Sequence, residues 1–240
     1  MFKRILSIVS LLIIMVGFTF AGVEDELKKI NQKLDNINKR LNDIEKKVGN
    51  TAPSNNKKQA DPNAVYNIPI SGSVVWGNPN AKITITEFTD FQWPYCAKSV
   101  SLVDDILAKY PNDVKVVIKN FPLSFHKQAY KAAQYALAAH EQGKYKEMYK
   151  AIFANYGNLK KNEDWPLEIA QDLELDMNQF VKDFSSPKIK KQLDLEINQF
   201  RNSGIPRLAV PKFLIQGKEP KGRDLATFSA MIDAELAKLK

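Results

Sequence analysis

The chain has 240 residues, 44% hydrophobic and 26% charged, with ten Gly and twelve Pro, proportions that exclude collagen-like and low-complexity architectures and leave a folded protein. Thirty-five Lys and Arg against 27 Asp and Glu give +8, spread without a long single-sign block, which argues against nucleic-acid binding. A single cysteine excludes an intramolecular disulfide, and with only two histidines the chain holds neither a Cys-rich zinc site nor a His-rich metal cluster, so no metal or cofactor is expected.

Residues 1–21 open with Lys3 and Arg4, run apolar over residues 5–20 and end on Thr19-Phe20-Ala21, with small residues at the two positions a signal peptidase reads. That is the pattern of a secretory signal peptide, whose removal leaves +6. The run falls short of the roughly 20 apolar residues a membrane-spanning helix needs, and an uncleaved anchor is the alternative. No cysteine follows it, which excludes a lipoprotein anchor. The expected location is periplasmic or otherwise exported, where disulfides persist.

Residues 22–49 read as a coiled-coil stalk. Apolar residues fall at Val23, Leu27, Ile30, Leu34, Ile37, Leu41, Ile44 and Val48, in alternating steps of four and three, with almost only polar residues between. The phase places Leu27, Leu34 and Leu41 at a, and Ile30, Ile37 and Ile44 at d, a combination that favours trimers or tetramers over dimers. The alternative is an amphipathic helix folded onto the globular domain, which normally carries a wider stripe. Residues 50–70, rich in Asn, Ser, Lys and Gln with few apolar side chains, read as a flexible linker.

The remainder, residues 71–240, reads as one α/β domain. Ala81-Lys82-Ile83-Thr84-Ile85-Thr86-Glu87-Phe88 and Val114-Lys115-Val116-Val117-Ile118 are β-branched strands. Between them residues 94–110 place Cys96, Val100, Val103, Leu107 and Tyr110 at helical spacing, so the two strands form a parallel pair joined by a crossover helix. A long helical stretch follows, over about residues 127–200. Gly143 stops one helix and Ser186-Pro187 starts another, while Ala129, Tyr130, Ala132, Ala133 and Ala136 form a core stripe. A strand at Lys212-Phe213-Leu214-Ile215, a turn at Gly217 and a helix from Asp224 complete the chain.

Gly77-Asn78-Pro79-Asn80-Ala81, then Glu87-Phe88-Thr89-Asp90-Phe91-Gln92 and Trp93-Pro94-Tyr95-Cys96, resemble the DsbA-like branch of the thioredoxin superfamily, where the last tetrapeptide is usually Cys-Pro-Tyr-Cys. Phe121-Pro122-Leu123-Ser124-Phe125-His126 is similar to the entry into that family's helical insertion, and Val210-Pro211 to its cis-proline loop. The resemblance runs from Gly77 to the C-terminus. It implies a thioredoxin fold with an inserted α-helical subdomain over about residues 122–203, and the chemistry of periplasmic thiol–disulfide oxidoreductases and isomerases. With the stalk, the whole chain resembles the oligomeric DsbA-like isomerases and copper-tolerance proteins of bacterial periplasms. Two departures stand out: Trp93 occupies the place of the family's nucleophilic cysteine, and the spacing from Gly204 to Pro211 is longer than usual.

In a C-x-x-C enzyme the first cysteine is activated at a helix N-terminus and the second resolves the mixed disulfide. Indole has no ionisable thiol, so Trp93 does neither, and no internal dithiol remains to cycle electrons. Cys96 is the remaining thiol. Its position on the apolar stripe points it into the protein, where a cysteine behaves as an inert small hydrophobe, and Trp93 would restrict access to it. Trp93 either closes a disused site against Val210 and Pro211 or anchors a peptide in a shallow groove beside them. The resemblance lets His126 face that site, although a packing or surface role suits an unpartnered histidine better. His140, next to Glu141 at a helix end, reads as solvated.

Asp104 with Asp105, and Glu163 with Asp164, are sequence neighbours that point apart on a helix, so neither pair is an acid/base dyad. There is no phosphate loop, nucleophile elbow or metal motif. The expected function is binding of unfolded or partner polypeptides by an oligomeric, exported thioredoxin-fold protein without dithiol activity. Two alternatives are a thiol–disulfide oxidoreductase or isomerase working through Cys96 with an external redox partner, and a structural protein whose working part is the stalk.

Overall fold

The computed structural model describes residues 25–40, 61 and 63–239. The expected signal segment, the seam positions Val23, Leu41, Ile44 and Val48, and most of the expected linker lie outside the described residues. The chain divides into two units, Met1–Lys57 and Lys58–Lys240. In the first, residues 25–40 form a helix (α1) along which Leu27, Ile30, Leu34 and Ile37 are each about half exposed, at 49–53%. Their three-and-four spacing places them on one face.

The second unit contains β1 (Val74–Gly77), β2 (Ile83–Thr89), α2 (Pro94–Lys109), β3 (Val114–Asn120), α3 (Ala129–Glu141), α4 (Tyr145–Ala154), α5 (Pro166–Asp172), α6 (Met177–Phe184), α7 (Pro187–Arg201), β4 (Lys212–Ile215) and α8 (Leu225–Ala237). A 3-10 turn, Tyr156–Lys160, joins α4 to α5. The four strands form one mixed sheet in the order β1-β3-β2-β4. β2 and β3 are parallel, with Ile85 opposite Val116, as a crossover through α2 requires. β1 pairs antiparallel with β3 and β4 antiparallel with β2. The strand β1 is only four residues long and has no periodicity extensive enough to announce it. Gly77, which ends it, has φ +85°, and a Cβ there would lie 2.7 Å from Leu107 Cδ2 and 2.8 Å from the Val114 carbonyl oxygen, so only glycine fits.

Ile83, Ile85 and Phe88 of β2 and Val114, Val116 and Ile118 of β3 are buried in the core, covered by α2, α7 and α8. The predicted stripe of α2 is rotated. Its buried residues are Cys96, Ser99, Leu102, Val103 and Ile106, with Val100 and Leu107 only partly buried. The reason is that α2 packs against β3 and also against α4 and α8, so its covered face is wider than a single stripe.

The insertion is the run α3 to α7. Ala129, Ala132, Ala133 and Ala136 are buried, as predicted, whereas Tyr130 is only partly buried because its hydroxyl reaches Asp194 at 3.0 Å. Gly143 ends α3 at φ +74°, and the Ser186 hydroxyl accepts the Ile189 N–H at 3.3 Å to start α7 ahead of Pro187. Aromatic contacts tie the insertion to the sheet: Phe200 of α7 stacks on Phe88 of β2 at 4.1 Å, and Tyr149 of α4 meets Trp76 of β1 edge-on at 4.8 Å. His140 is exposed at the end of α3.

Candidate active site

The candidate site lies where β2 ends and α2 begins. Asp90, one residue past β2, is almost fully buried, and its carboxylate organises the surrounding loops. Oδ1 accepts the Gln92 N–H at 2.7 Å, turning the chain toward α2. Oδ2 accepts the Leu123 N–H at 2.7 Å and lies 2.9 Å from Nδ1 of His126. A second tie, from the Phe121 N–H to the Thr89 carbonyl at 2.7 Å, fixes the 121–126 loop to the same end of the sheet. A carboxylate only accepts, so the proton of this contact sits on Nδ1 and Nε2 is left for other partners.

Trp93 is the N-cap of α2 and gives no side-chain cap; Pro94 follows in the first turn, where its missing N–H costs nothing. The indole lies 5.5 Å from the Tyr95 ring, 5.5 Å from the His126 ring and 6.4 Å from the Phe125 ring, centre to centre. Tyr95 is 57% and Phe125 66% exposed, so two exposed rings and a partly buried indole form an aromatic patch at the surface. His126 therefore faces the Trp93 site, paired with Asp90, and is not the free surface or packing histidine expected from its lack of a thiolate partner. Asp90 is the residue that sequence reasoning did not single out, since its partners Leu123 and His126 are more than thirty positions away.

Cys96 lies one turn into α2 with its side chain directed inward and no exposed surface. Sγ accepts the Asp90 N–H at 3.4 Å. Burial pushes the thiol well above its ordinary value; the Asp90 N–H works against that shift and the charge of Glu87 adds to it. Glu87, on β2, is itself fully buried. Its Oε1 accepts from the Ser99 hydroxyl at 2.9 Å and from the Tyr149 hydroxyl at 3.4 Å, while Oε2 has no partner. Burial raises this carboxyl to about 8 against the lowering effect of the two hydroxyls.

Val210-Pro211 is a cis peptide, and both residues are buried immediately before β4. Lys212 pairs with Phe88 near the end of β2, so the cis-proline loop and the Trp93 turn lie at the same end of the sheet. Among the described residues no group of three metal-ligating side chains converges, and no helix is long and apolar enough to cross a membrane.

The thioredoxin family model matches residues 70–234. A thioredoxin-like oxidoreductase from Silicibacter pomeroyi is 26% identical with a TM-score of 0.59, covering 69% of this chain and 92% of that one. Alpha-DsbA1 of Wolbachia pipientis, 22% identical with a TM-score of 0.61, covers 72% of this chain and 97% of its own. A curated relative, a Na(+)/H(+) antiporter NhaA of Herminiimonas arsenicoxydans, is 26% identical over 181 residues, which are 74% of this chain and 28% of that protein. The chain thus spans little more than a quarter of the length of that curated relative.

Proposed function

Since the chain belongs to the thioredoxin family and carries the thiol–disulfide oxidoreductase fold in its DsbA-like form, we propose that it is an exported, oligomeric polypeptide-binding protein that has given up dithiol chemistry. The observation that carries this reading is the exchange at the head of α2. Where the family places its attacking thiol, an indole sits in an exposed aromatic patch, and the one remaining thiol is buried and held protonated. An extended client would lay apolar side chains on Trp93, Tyr95 and Phe125 and take backbone contacts near Val210 and Pro211. The half-exposed seam of Leu27, Ile30, Leu34 and Ile37 would join three or four chains, so that several weak sites act on one client at high effective concentration. The pattern of residues 1–21 supports an exported, periplasmic location.

The test is suppression of aggregation of a reduced, unfolded client by the full chain, beside an insulin-reduction assay. Suppression without reduction, lost in Trp93→Ala, is the expected result. Insulin reduction through Cys96 would instead make the protein a single-thiol enzyme. A Trp93→Ala variant that keeps its function, with loss only on substituting Leu34 and Ile37, would make it a structural protein working through its stalk.

A further inference from the structure

Resting on that peptide-binding reading, the structure assigns the clients a charge. His126 belongs to two features at once. Its ring meets the aromatic patch, at 4.6 Å from Phe125 and 5.5 Å from Trp93, and the residue also lines a groove of about 460 Å3 between the 121–127 loop, α3 and α7. Leu123 and Ile197 supply apolar lining, and Lys127 and Arg201 stand in the groove with no carboxylate within 4.0 Å among the described residues. Its one carboxylate, Asp194, is engaged by the Tyr130 hydroxyl, which burial and Asp194 together keep protonated by raising it to about 12. Within the patch Lys98 lies over the Tyr95 ring at 5.4 Å and is likewise without a carboxylate among the described residues. Many other Lys and Arg side chains of the described residues also have no carboxylate within 4.0 Å, so what sets Lys98, Lys127 and Arg201 apart is their place beside one aromatic patch.

We propose that this surface binds extended acidic polypeptides in which an aromatic or large apolar residue is followed within a few positions by Asp or Glu. The apolar side chain stacks among Trp93, Tyr95 and Phe125, and the carboxylate enters the groove toward Lys127 and Arg201. An extended chain advances roughly 3.3 Å per residue, so an acidic residue two to four positions from the apolar one reaches about 7–13 Å beyond it. The Asp90 contact holds the imidazole so that Nε2 is directed away from the buried carboxylate, where it can meet the client's backbone or side chain. Ion pairs at exposed side chains beside an apolar anchor add specificity more than affinity.

The experiment uses the full chain and fluorescein-labelled peptides with one Phe followed by three Glu, three Ser or three Lys. Anisotropy at low salt is expected to give binding in the order Glu, Ser, Lys, with Glu about tenfold tighter than Ser and the gap closing in high salt. The Lys127→Glu, Arg201→Glu double variant, altered only at exposed side chains, is expected to prefer the Lys peptide. Equal binding of the Glu and Ser peptides, or a double variant that keeps the Glu preference, would overturn the acidic preference while leaving peptide binding standing. Binding of none of the three would overturn both.

Discussion

The backbone N–H of Asp90 donates to Sγ of Cys96 at 3.4 Å, joining the end of β2 to the first turn of α2 beneath the Trp93 surface. In the proposed reading Cys96 is a structural thiol, because one weak donor does not offset the loss of water around a thiolate. Alkylation of Cys96 by iodoacetamide near neutral pH is expected to be at least about a hundredfold slower in the native protein than in denaturant, since a free thiol near pKa 8.5 reacts readily. A fast native reaction with a midpoint well below that value would show a live thiolate.

Glu87 predicts a pH-dependent stability. Its folded value, about 8, lies above its ordinary 4.5, so the folded state favours the neutral carboxyl. The stabilisation is complete below about pH 4.5 and is lost as pH rises toward 8, at about 1.4 kcal/mol per unit, on the order of 5 kcal/mol across the window. Glu196, raised in the same direction by burial, contributes with the same sign. Urea midpoints of the wild type should therefore fall from about pH 5 to pH 8, and Glu87→Gln, which keeps an acceptor for Ser99 and Tyr149, should flatten that fall. An unchanged slope in Glu87→Gln would remove Glu87 from the explanation.

Much of this architecture is legible in the sequence, because β2, β3, α2 and α8 carry β-branched runs, helical spacing or caps within a few residues. The Ser186-Pro187 and Asp224 helix starts belong to the same legible set, while the cis peptide at Val210-Pro211 is expected only through the family resemblance. What escapes is what depends on distant neighbours. β1 becomes a strand by pairing with β3, the face of α2 is set by α4 and α8, and His126 acquires its role from Asp90, thirty-six positions before it. The identity of Trp93 is plain in the sequence, while its surface patch with Tyr95 and Phe125 needs the 121–126 loop folded back on it.

Restoring the thiol tests whether Trp93 alone separates this site from a redox centre. In Trp93→Cys the new thiol stands at the head of a sixteen-residue helix, where the dipole favours a thiolate, and Cys96 is one turn away to resolve a mixed disulfide. The variant is expected to reduce insulin in the presence of dithiothreitol at a rate well above the wild type. A folded variant with no such activity would show that the surroundings, including the buried Glu87, have also left redox chemistry behind.

The seam on α1 predicts an oligomer that a local change dissolves. Leu34→Asn with Ile37→Asn removes one a and one d side chain that are half exposed on the helix itself. Sedimentation equilibrium is expected to show three or four chains for the wild type and one for the variant, with unchanged thermal unfolding of the thioredoxin domain. A wild-type chain that sediments as a monomer would remove the avidity from the proposed function.

Asp90 should matter more than its size suggests, because one carboxylate satisfies two backbone donors and a ring nitrogen. Asp90→Ala leaves the N–H groups of Gln92 and Leu123 without acceptors in a buried site, which costs roughly 2–4 kcal/mol. It also frees the imidazole of His126, and with it the ordered arrangement of Trp93 and Phe125. Thermal unfolding is expected to fall, and the near-ultraviolet circular dichroism of the aromatic cluster to weaken, while His126→Ala changes the aromatic signal with a smaller loss of stability. Asp90→Asn retains one acceptor oxygen and should fall between the two in stability. If Asp90→Ala unfolds like the wild type and keeps its near-ultraviolet spectrum, the carboxylate does not organise the site, and the placement of His126 needs another cause.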